Sequence, residues 1–276
     1  MINELAYAKV NLALEVNETN KDNYHLVRNV MVPIDLYDSI SVEKIDSNIL
    51  LIDNSNIEVE SNLVYKAAKL FIDTYKIKSG VLINLEKHIP SEAGLAGGSS
   101  DAAATLRALN RLFETNKTLD ELATLGAKLG ADVPYCVYQS ASLCTNLGEK
   151  VELLITNYPK WNILLVKPPF GCSTKEIYSH YVRKVHKIDQ VAKVIEALAE
   201  ADLDKLNKNK FNDLEETAIN LNSKLLKVKL SFGIESSCMM SGSGSTFFEI
   251  SQDLDYLKNK QKQLSLYYNT YLTKLL

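Results

Sequence analysis

A glycine- and serine-rich segment, residues 90–101, carries the clearest chemical signature in the chain. The apolar run at 81–85 before it is typical of a buried strand, and apolar side chains at helical spacing follow it. A strand, a glycine-rich loop and a helix N-terminus in this order attract phosphate, because the first N–H groups of a helix have no intrahelical partner. The segment therefore predicts an anion site, with Ser99 or Ser100 as the helix cap.

Two common phosphate-binding signatures do not describe this segment. No Gly-Lys-Ser/Thr sequence follows its glycines, which excludes a Walker A loop. The spacing Gly-x-x-Gly-Gly-Ser-Ser lies well inside the chain and differs from the dinucleotide fingerprint that opens a βαβ unit. A turn and a cap without a ligand is the alternative, but the strand before it and the helix after it favour anion binding.

A lysine and an asparagine near the N-terminus form a second candidate group. Residues 6–16 alternate, which predicts a strand with Val10 and Leu12 on one face and Lys9 and Asn11 on the other. Side chains two residues apart on a strand point the same way, so the amine and the amide share a face. From the pattern alone, a solvated face is the commoner fate of such a pair.

An aspartate after a capped helix is the third candidate. Thr118 and Glu121 form a capping-box pattern that begins a helix, and Gly130 follows that helix. Asp132 then lies in the sequence Gly-Ala-Asp-Val-Pro. From the residues alone, a turn or helix-capping aspartate is the simpler interpretation.

Composition narrows the class of protein. The 276 residues are 46% hydrophobic and 24% charged with a net charge of −3, so we expect a real core and no basic field that attracts nucleic acid or anionic membrane. The four cysteines are scattered and the four histidines lack metal-ligand spacing, which predicts a reduced protein without structural zinc. No apolar window reaches the length of a membrane span and no signal-peptide pattern opens the chain, so we expect a cytoplasmic protein.

The elements that must position these residues fall into two units. A helix is predicted over 62–76, and a linker at 158–160 leads into a strand at 161–166. Later, a tight glycine-serine turn joins two apolar strands at 239–248. We place the boundary so that residues 1–157 and 158–276 form separate domains.

Three segments of the chain resemble the three motifs of the GHMP kinase superfamily, in order, and the resemblance covers nearly the whole chain. The sequence from Pro90 to Ala104 resembles the phosphate-binding motif, Ala-Lys-Val-Asn-Leu at 8–12 resembles the first motif, and 239–248 resembles the third. The resemblance implies an α+β fold of two domains. The N-terminal domain would be similar to the second domain of ribosomal protein S5, and the C-terminal domain would be ferredoxin-like.

The resemblance also implies site roles, with ATP and Mg²⁺ as cofactors. Asp132 would be the catalytic base, and Lys9 would polarise the acceptor hydroxyl and hold Asp132 ionised. No metal ligand set is predicted beyond a Mg²⁺ ion near Ser100. The cofactor-binding residues would be Lys87, Pro90, Ser91, Glu92, Ala93, Gly94, Leu95, Ala96, Gly97, Gly98, Ser99 and Ser100.

Within the superfamily, the Gly-Gly-Ser-Ser-Asp form and the pair Tyr24-His25 are similar to the branch that phosphorylates a cytidyl diphosphate substrate. That substrate would be a methylerythritol ester, phosphorylated at its 2-hydroxyl on the non-mevalonate route to isoprenoid precursors. The small molecule and ATP would be the partners of a monomer or homodimer. The substrate-binding residues would be Asn11, Tyr24, His25, Thr174, Tyr178, Gly242, Ser243 and Gly244.

Two alternatives stay open. The chain could be another GHMP-type small-molecule kinase or a diphosphate decarboxylase, or a non-catalytic nucleotide-binding regulator on the same fold. Two departures from the family pattern bear on this choice. Ala96 stands where glycine is usual, and Val27-Arg28-Asn29 stands where an acidic residue and a Thr or Ser are usual.

Overall fold

The protein consists of two units, each built on one β-sheet, and we describe it from a computed structural model covering residues 1–46, 48–53 and 58–276. One sheet has seven strands with the order β3-β4-β2-β1-β8, to which β5 adds by pairing with β2 and β6 by pairing with β5. The strands of this sheet are β1 (Ile2–Thr19), β2 (His25–Ile45), β3 (Ile49–Asp53), β4 (Gly80–Glu86), β5 (Ser142–Asn146), β6 (Lys150–Leu153) and β8 (Phe211–Asn212).

A second sheet of four strands has the order β11-β7-β10-β9. Its strands are β7 (Asn162–Lys167), β9 (Met239–Met240), β10 (Phe247–Ser251) and β11 (Asn269–Lys274). The helices are α1 (Leu63–Tyr75), α2 (Gly97–Leu112), α3 (Leu119–Gly126), α4 (Val133–Tyr138), α5 (Thr174–His180), α6 (Gln190–Ala199), α7 (Leu203–Asn209), α8 (Leu214–Leu221), α9 (Lys224–Ser231) and α10 (Leu254–Leu264). Across the described ranges, no helix has both the length and the hydropathy needed to cross a bilayer.

The long antiparallel pair β1–β2 is the centre of the structure. A turn joins the two strands, and Asn23 takes a left-handed conformation there (φ +60°), which asparagine tolerates better than most residues. The sequence pattern correctly predicts β1 as a strand, and the alternative of a solvated face for Lys9 and Asn11 does not hold. Residues 8–14 are buried throughout, because Val10 and Leu12 pack with Ile163 and Val194 of the second unit while the other face is covered as well.

Helix α2 lies in the core of the first unit. Its small residues Ala102, Ala103 and Ala104 are fully buried against α1 and the sheet, where the absence of long side chains permits close packing. The buried Arg107 fixes α2 from the other side, since its guanidinium donates to the Cys136 carbonyl at 2.8 Å. The N-terminus of α2 is thereby held at a fixed place beside β1.

The mixed α/β architecture confirms the predicted fold class, and most predicted elements are present. The capping box of Thr118 and Glu121 begins α3 as expected. We propose the domain boundary at 157/158. The short β8 belongs to the proposed C-terminal domain but pairs with β1, with Ala13 opposite Phe211. The first sheet therefore contains strands from both proposed domains.

Asp213 joins the two units just after β8. Its buried Oδ2 accepts the Val16 N–H at 2.9 Å and the Tyr181 hydroxyl at 3.3 Å, and its Oδ1 lies 3.0 Å from His186 Nε2. The Asp213 carboxylate thus makes hydrogen bonds to the end of β1 and to the segment after α5. Removal of the carboxylate would leave a buried N–H without an acceptor, which is costly.

We therefore expect Asp213→Ala to lower the free energy of unfolding by about 1–3 kcal/mol, the usual cost of an unsatisfied buried donor. Urea denaturation of the parent protein and of Asp213→Ala would measure this loss of stability. Asp255→Ala is the matched control, because that carboxylate is 87% exposed and should contribute less than about 0.5 kcal/mol. Equal losses in the two variants would contradict this role of Asp213.

Candidate active site

A cavity of about 1360 Å³ lies between the two units and brings the three candidate groups together. Its wall contains Lys9 from β1, Asp132 from the start of α4, the glycine-serine loop, and the turn between β9 and β10. Every residue predicted for the site lies in this wall except Ser100. The volume exceeds what a single mononucleotide requires, which leaves room for two ligands.

The loop is held in place through Gly94. Its carbonyl oxygen accepts hydrogen bonds from Lys9 Nζ at 2.8 Å and from Ser241 Oγ at 3.0 Å. Gly94 has φ +73°, and a Cβ at this position would lie 2.0 Å from the Ser241 carbonyl oxygen. Only glycine fits, because both the backbone conformation and the available space exclude a side chain.

The N-terminus of α2 carries no side-chain cap, so the predicted cap at Ser99 or Ser100 is wrong. The helix begins at Gly97 after Ala96, which is left-handed (φ +58°). Ser100 lies inside the first turn, fully buried, and its hydroxyl donates to the Tyr7 carbonyl at 2.7 Å. The serine thus ties α2 to β1, while Gly97, Gly98 and Ser99 present the start of the helix to the cavity.

Lys9 is buried to 3% exposure, and its ammonium is held by two acceptors. Its Nζ donates to Asn11 Oδ1 at 2.6 Å and to the Gly94 carbonyl at 2.8 Å. Burial lowers the pKa of Lys9 below its ordinary value, and the charge of Asp132 opposes that shift. The amine is therefore a fixed cation close to a carboxylate in the same cavity.

Asp132 occupies the N-cap position of α4, but its side chain makes no capping hydrogen bond. The residue is half-buried and lines the cavity. Pro134 in the first turn accounts for the start of the short helix, since proline suits that position and needs no N–H partner there. The carboxylate therefore remains available to a ligand, which the capping interpretation would not allow.

Aromatic side chains form the far end of the cavity. Tyr24 is 64% exposed at its rim, and the rings of His25 and Tyr178 lie 5.8 Å apart. His25 Nδ1 is 3.0 Å from the Asn17 carbonyl and donates to it, so in the neutral ring Nε2 is the acceptor. Tyr181 meets the His25 ring edge-on at 5.6 Å and supports its orientation.

The turn between β9 and β10 closes the cavity over the loop. The N–H of Thr246 donates to the Ala93 carbonyl at 3.3 Å, and that of Ser245 to the Glu92 carbonyl at 3.4 Å. The hydroxyls of Thr174 and Ser243 are 2.7 Å apart, which links α5 to the same turn. Gly242, Ser243 and Gly244 all line the cavity.

Lys87 also lines the cavity, and its ammonium is paired with two carboxylates. Its Nζ contacts Asp101 Oδ2 at 2.5 Å and Asp38 Oδ2, and Asp38 Oδ1 also accepts the Ile89 N–H at 2.8 Å. Burial lowers the pKa of Lys87, but the two carboxylates outweigh it and the net shift is upward. Burial raises the pKa of Asp101 to about 8, although Lys87 opposes that shift.

Sequence reasoning missed several residues of the site. Asn29 and Cys172 lie in the cavity wall, and the buried Ser241 fixes the loop from behind. Arg28 faces away from the cavity, since it pairs with Glu15 at 3.2 Å and with Asp189 at 2.9 Å. Of the departure at 27–29, Asn29 is thus the polar residue that reaches the site, and no local pattern distinguishes it from its neighbours.

Comparison with known proteins agrees with this geometry. The sequence family named GHMP kinases N terminal domain matches residues 62–140 of this chain. The crystal structure of a homoserine kinase from Cytophaga hutchinsonii superposes with a TM-score of 0.76 over 99% of this chain and 94% of that one, at 17% identity, which shows the fold. The fold and the family match therefore place the protein in the GHMP class of kinases.

More similar proteins narrow the class. A 4-diphosphocytidyl-2-C-methyl-D-erythritol kinase of Clostridium botulinum (strain Alaska E43 / Type E3) is 42% identical over 98% of both chains, and one of Clostridium tetani (strain Massachusetts / E88) is 42% identical over the same share. A crystal structure of 4-(cytidine 5'-diphospho)-2C-methyl-D-erythritol kinase has a TM-score of 0.86 at 30% identity over 99% of both chains. This chain belongs to the 4-diphosphocytidyl-2-C-methyl-D-erythritol kinase family. Membership in a GHMP kinase family implies ATP as co-substrate and a small molecule as phosphoryl acceptor.

The constraint at Gly94 predicts a large effect of a single methyl group. Gly94→Ala should lower the free energy of unfolding by about 2–5 kcal/mol, from left-handed strain plus a backbone clash, and should weaken ATP binding because the loop must move. Gly233→Ala is the matched control, since Gly233 is also left-handed (φ +96°) but has nothing within 4 Å. It should cost about 1–2 kcal/mol and leave ATP affinity unchanged. Urea denaturation would measure the stability of the two variants, and calorimetric titration would measure their affinity for ATP. Equal ATP affinity in the two variants would contradict the role of Gly94 in shaping the loop.

The raised pKa of Asp101 predicts a pH dependence of stability. Between its ordinary value of 3.8 and about 8, the folded state binds the proton more tightly than the unfolded chain. The free energy of unfolding contributed by this group therefore falls as pH rises through that range, by at most about 1.4 kcal/mol per pH unit. Asp101→Asn should lose this contribution, so its stability relative to the parent protein should increase with pH. Denaturation at several pH values would test it, with the exposed Asp255→Asn as control; parallel profiles for all three proteins would refute it.

Proposed function

We propose that the protein transfers the γ-phosphoryl group of ATP to the 2-hydroxyl of 4-diphosphocytidyl-2-C-methyl-D-erythritol. The observation that carries this proposal is the presence of Lys9, Asp132 and the glycine-serine loop in the wall of one cavity. The names of relatives 42% identical over nearly full length supply the substrate. The roles below follow from where each residue lies.

The loop and the start of α2 would bind the ATP phosphates. Because no side chain caps this helix, the N–H groups of Gly97, Gly98 and Ser99 remain available to an anion. The helix dipole adds to the attraction, since its positive end points to the same place. Lys87 would contribute its charge from below, shared with Asp38 and Asp101.

Asp132 would accept the proton of the attacking hydroxyl, because it is a carboxylate in the cavity wall that is not used as a cap. Lys9 would polarise the same hydroxyl, with Asn11 beside it contacting the erythritol end. The ammonium is fixed by two acceptors and so needs little reorganisation when negative charge develops on the acceptor oxygen. Phosphoryl transfer depends chiefly on such positioning and charge stabilisation.

The aromatic end would bind the cytosine. Tyr24 and Tyr178 offer ring faces for stacking, and Thr174 lies beside them on α5. In the neutral ring protonated at Nδ1, His25 Nε2 would accept a hydrogen bond from the exocyclic amino group of cytosine, a donor that uracil lacks. Gly242, Ser243 and Gly244 would contact the diphosphate where the turn meets the loop.

Mg²⁺ fits the chemistry of the cavity wall. Within the described ranges, no group of three or more His, Cys, Asp or Glu side chains could hold a metal ion. Such a sparse donor set suits Mg²⁺, which is commonly held by one or two protein oxygens together with substrate phosphates. The Ser99 hydroxyl in the cavity wall would supply one such oxygen, and the ion would neutralise phosphate charge. The proximity of Mg²⁺ to Ser100 stays a prediction.

Turnover with matched acceptors tests the proposal. We expect ATP-dependent phosphorylation of 4-diphosphocytidyl-2-C-methyl-D-erythritol. ³¹P NMR of the product would show whether the new phosphate is on the 2-hydroxyl. The uridyl analogue should react poorly, because the histidine acceptor would face a carbonyl oxygen. Turnover of mevalonate or phosphomevalonate alone would support a different GHMP kinase, and ATP binding without transfer to any acceptor would support a regulator.

The acid–base pair predicts a kinetic signature. Asp132→Ala should lower kcat by roughly 10²–10⁴-fold while ATP still binds, as expected for loss of a general base. Lys9→Ala should act in the same direction, and the double variant should lose little more than the worse single variant, because the two groups act on one hydroxyl. The exposed Asp204→Ala on α7 is the control. Full additivity of the two losses, or normal turnover of Asp132→Ala, would contradict the mechanism.

A further inference from the structure

A buried pair of amides lies next to the Lys9 ammonium. Asn11 Nδ2 donates to Asn29 Oδ1 at 2.8 Å, and the two residues are 1% and 7% exposed. Asn11 comes from β1 and Asn29 from β2, and both line the cavity.

The orientation of the Asn11 amide is determined by its three partners. Its Oδ1 accepts a hydrogen bond from Lys9 Nζ at 2.6 Å and lies 3.2 Å from Ser241 Oγ, whose single O–H is directed between this oxygen and the Gly94 carbonyl. A flipped amide would direct its NH₂ group at an ammonium, which has only donors. Asn29 Oδ1 is the acceptor that holds the NH₂ end on the opposite side.

The direction of the Lys9 N–H bonds depends on the orientation of the Asn11 amide. Two of the three N–H bonds of Lys9 are directed at the Asn11 amide oxygen and the Gly94 carbonyl. Because an ammonium is tetrahedral, these two acceptors fix the direction of the third N–H bond. A free Asn11 amide would no longer determine where that bond points.

We propose that Asn29 is a positioning residue for the reaction, which acts through Asn11 to aim the Lys9 ammonium at the acceptor hydroxyl. The inference rests on the proposed function of Lys9 and adds a residue to it. Asn29 is distinct from the nucleotide loop, since its side-chain contact is with Asn11. Its removal should therefore lower kcat and leave the KM for ATP unchanged.

Two substitutions of similar shape separate the acceptor oxygen from packing. Asn29→Leu removes the oxygen, and Asn29→Asp keeps it. We expect Asn29→Leu to lower kcat by about tenfold and Asn29→Asp by no more than about threefold, with the KM for ATP within about twofold of the parent value in both. Should Asn29→Leu fail to fold, Asn29→Ala takes its place.

A double-mutant cycle with Asn11→Ala gives the sharper result. If Asn29 acts through Asn11, adding Asn29→Leu to Asn11→Ala should change kcat by less than about twofold. A second tenfold loss in that background would overturn the proposal, because it would indicate direct substrate contact or a general structural effect. Parent-like kcat in Asn29→Leu would also overturn it.

A measurement independent of activity completes the test. In ¹⁵N-labelled protein, the Asn11 side-chain amide signal, identified by its loss in Asn11→Ala, should exchange slowly in the parent and in Asn29→Asp and rapidly in Asn29→Leu. Unchanged exchange in Asn29→Leu would overturn the proposal. Absence of turnover in the parent protein, with the exchange pattern as expected, would instead refute the proposed function and the catalytic part of this inference, leaving only the amide contact.

Discussion

The hydrogen bonds at the Gly94 carbonyl oxygen hold the candidate site together. This one acceptor receives the Lys9 ammonium from β1 and the Ser241 hydroxyl from the turn before β10. Three segments far apart in sequence therefore meet at a single atom. The absence of a Cβ at Gly94 permits that meeting, since a methyl group would overlap the Ser241 backbone. The positions of the glycine-serine loop and of the Lys9 amine are consequently set together and cannot vary independently.

Burial of Lys9 is unfavourable in itself, because an ammonium loses its hydration shell in the interior. The Asn11 amide, the Gly94 carbonyl and the nearby Asp132 carboxylate offset this cost. The balance leaves the pKa of Lys9 lowered, so the group holds its proton less tightly than a surface lysine. A desolvated, fixed cation stabilises developing charge more effectively than a hydrated one, which is the use that phosphoryl transfer makes of such a group.

Local patterns in the sequence are enough to predict most elements and the main candidate residues. Alternation identifies β1, glycine spacing identifies the loop, and the capping box identifies α3. These signals are carried by neighbouring residues, so they do not depend on the rest of the fold.

Features that depend on distant contacts could not be predicted in this way. The predicted helix cap at Ser99 or Ser100 is wrong, because the helix begins at Gly97 and both serines lie inside it, where the Ser100 hydroxyl donates to the Tyr7 carbonyl of β1. Burial on both faces of β1 requires the second unit, which the alternation of a single strand cannot reveal. Asn29 and Ser241 gain their significance only when β1, β2 and the β9–β10 turn come together. The assignment of roles within the cavity rests on the same long-range contacts.

The pairing of the loop with the β9–β10 turn also has a consequence during synthesis. The carbonyls of Glu92 and Ala93 receive their hydrogen bonds from the N–H groups of Ser245 and Thr246, about 150 residues later. A nascent chain that has emerged from the ribosome only through the first sheet has no partner for these carbonyls. The loop at 90–101 can therefore make these hydrogen bonds only after residues 245 and 246 have left the exit tunnel.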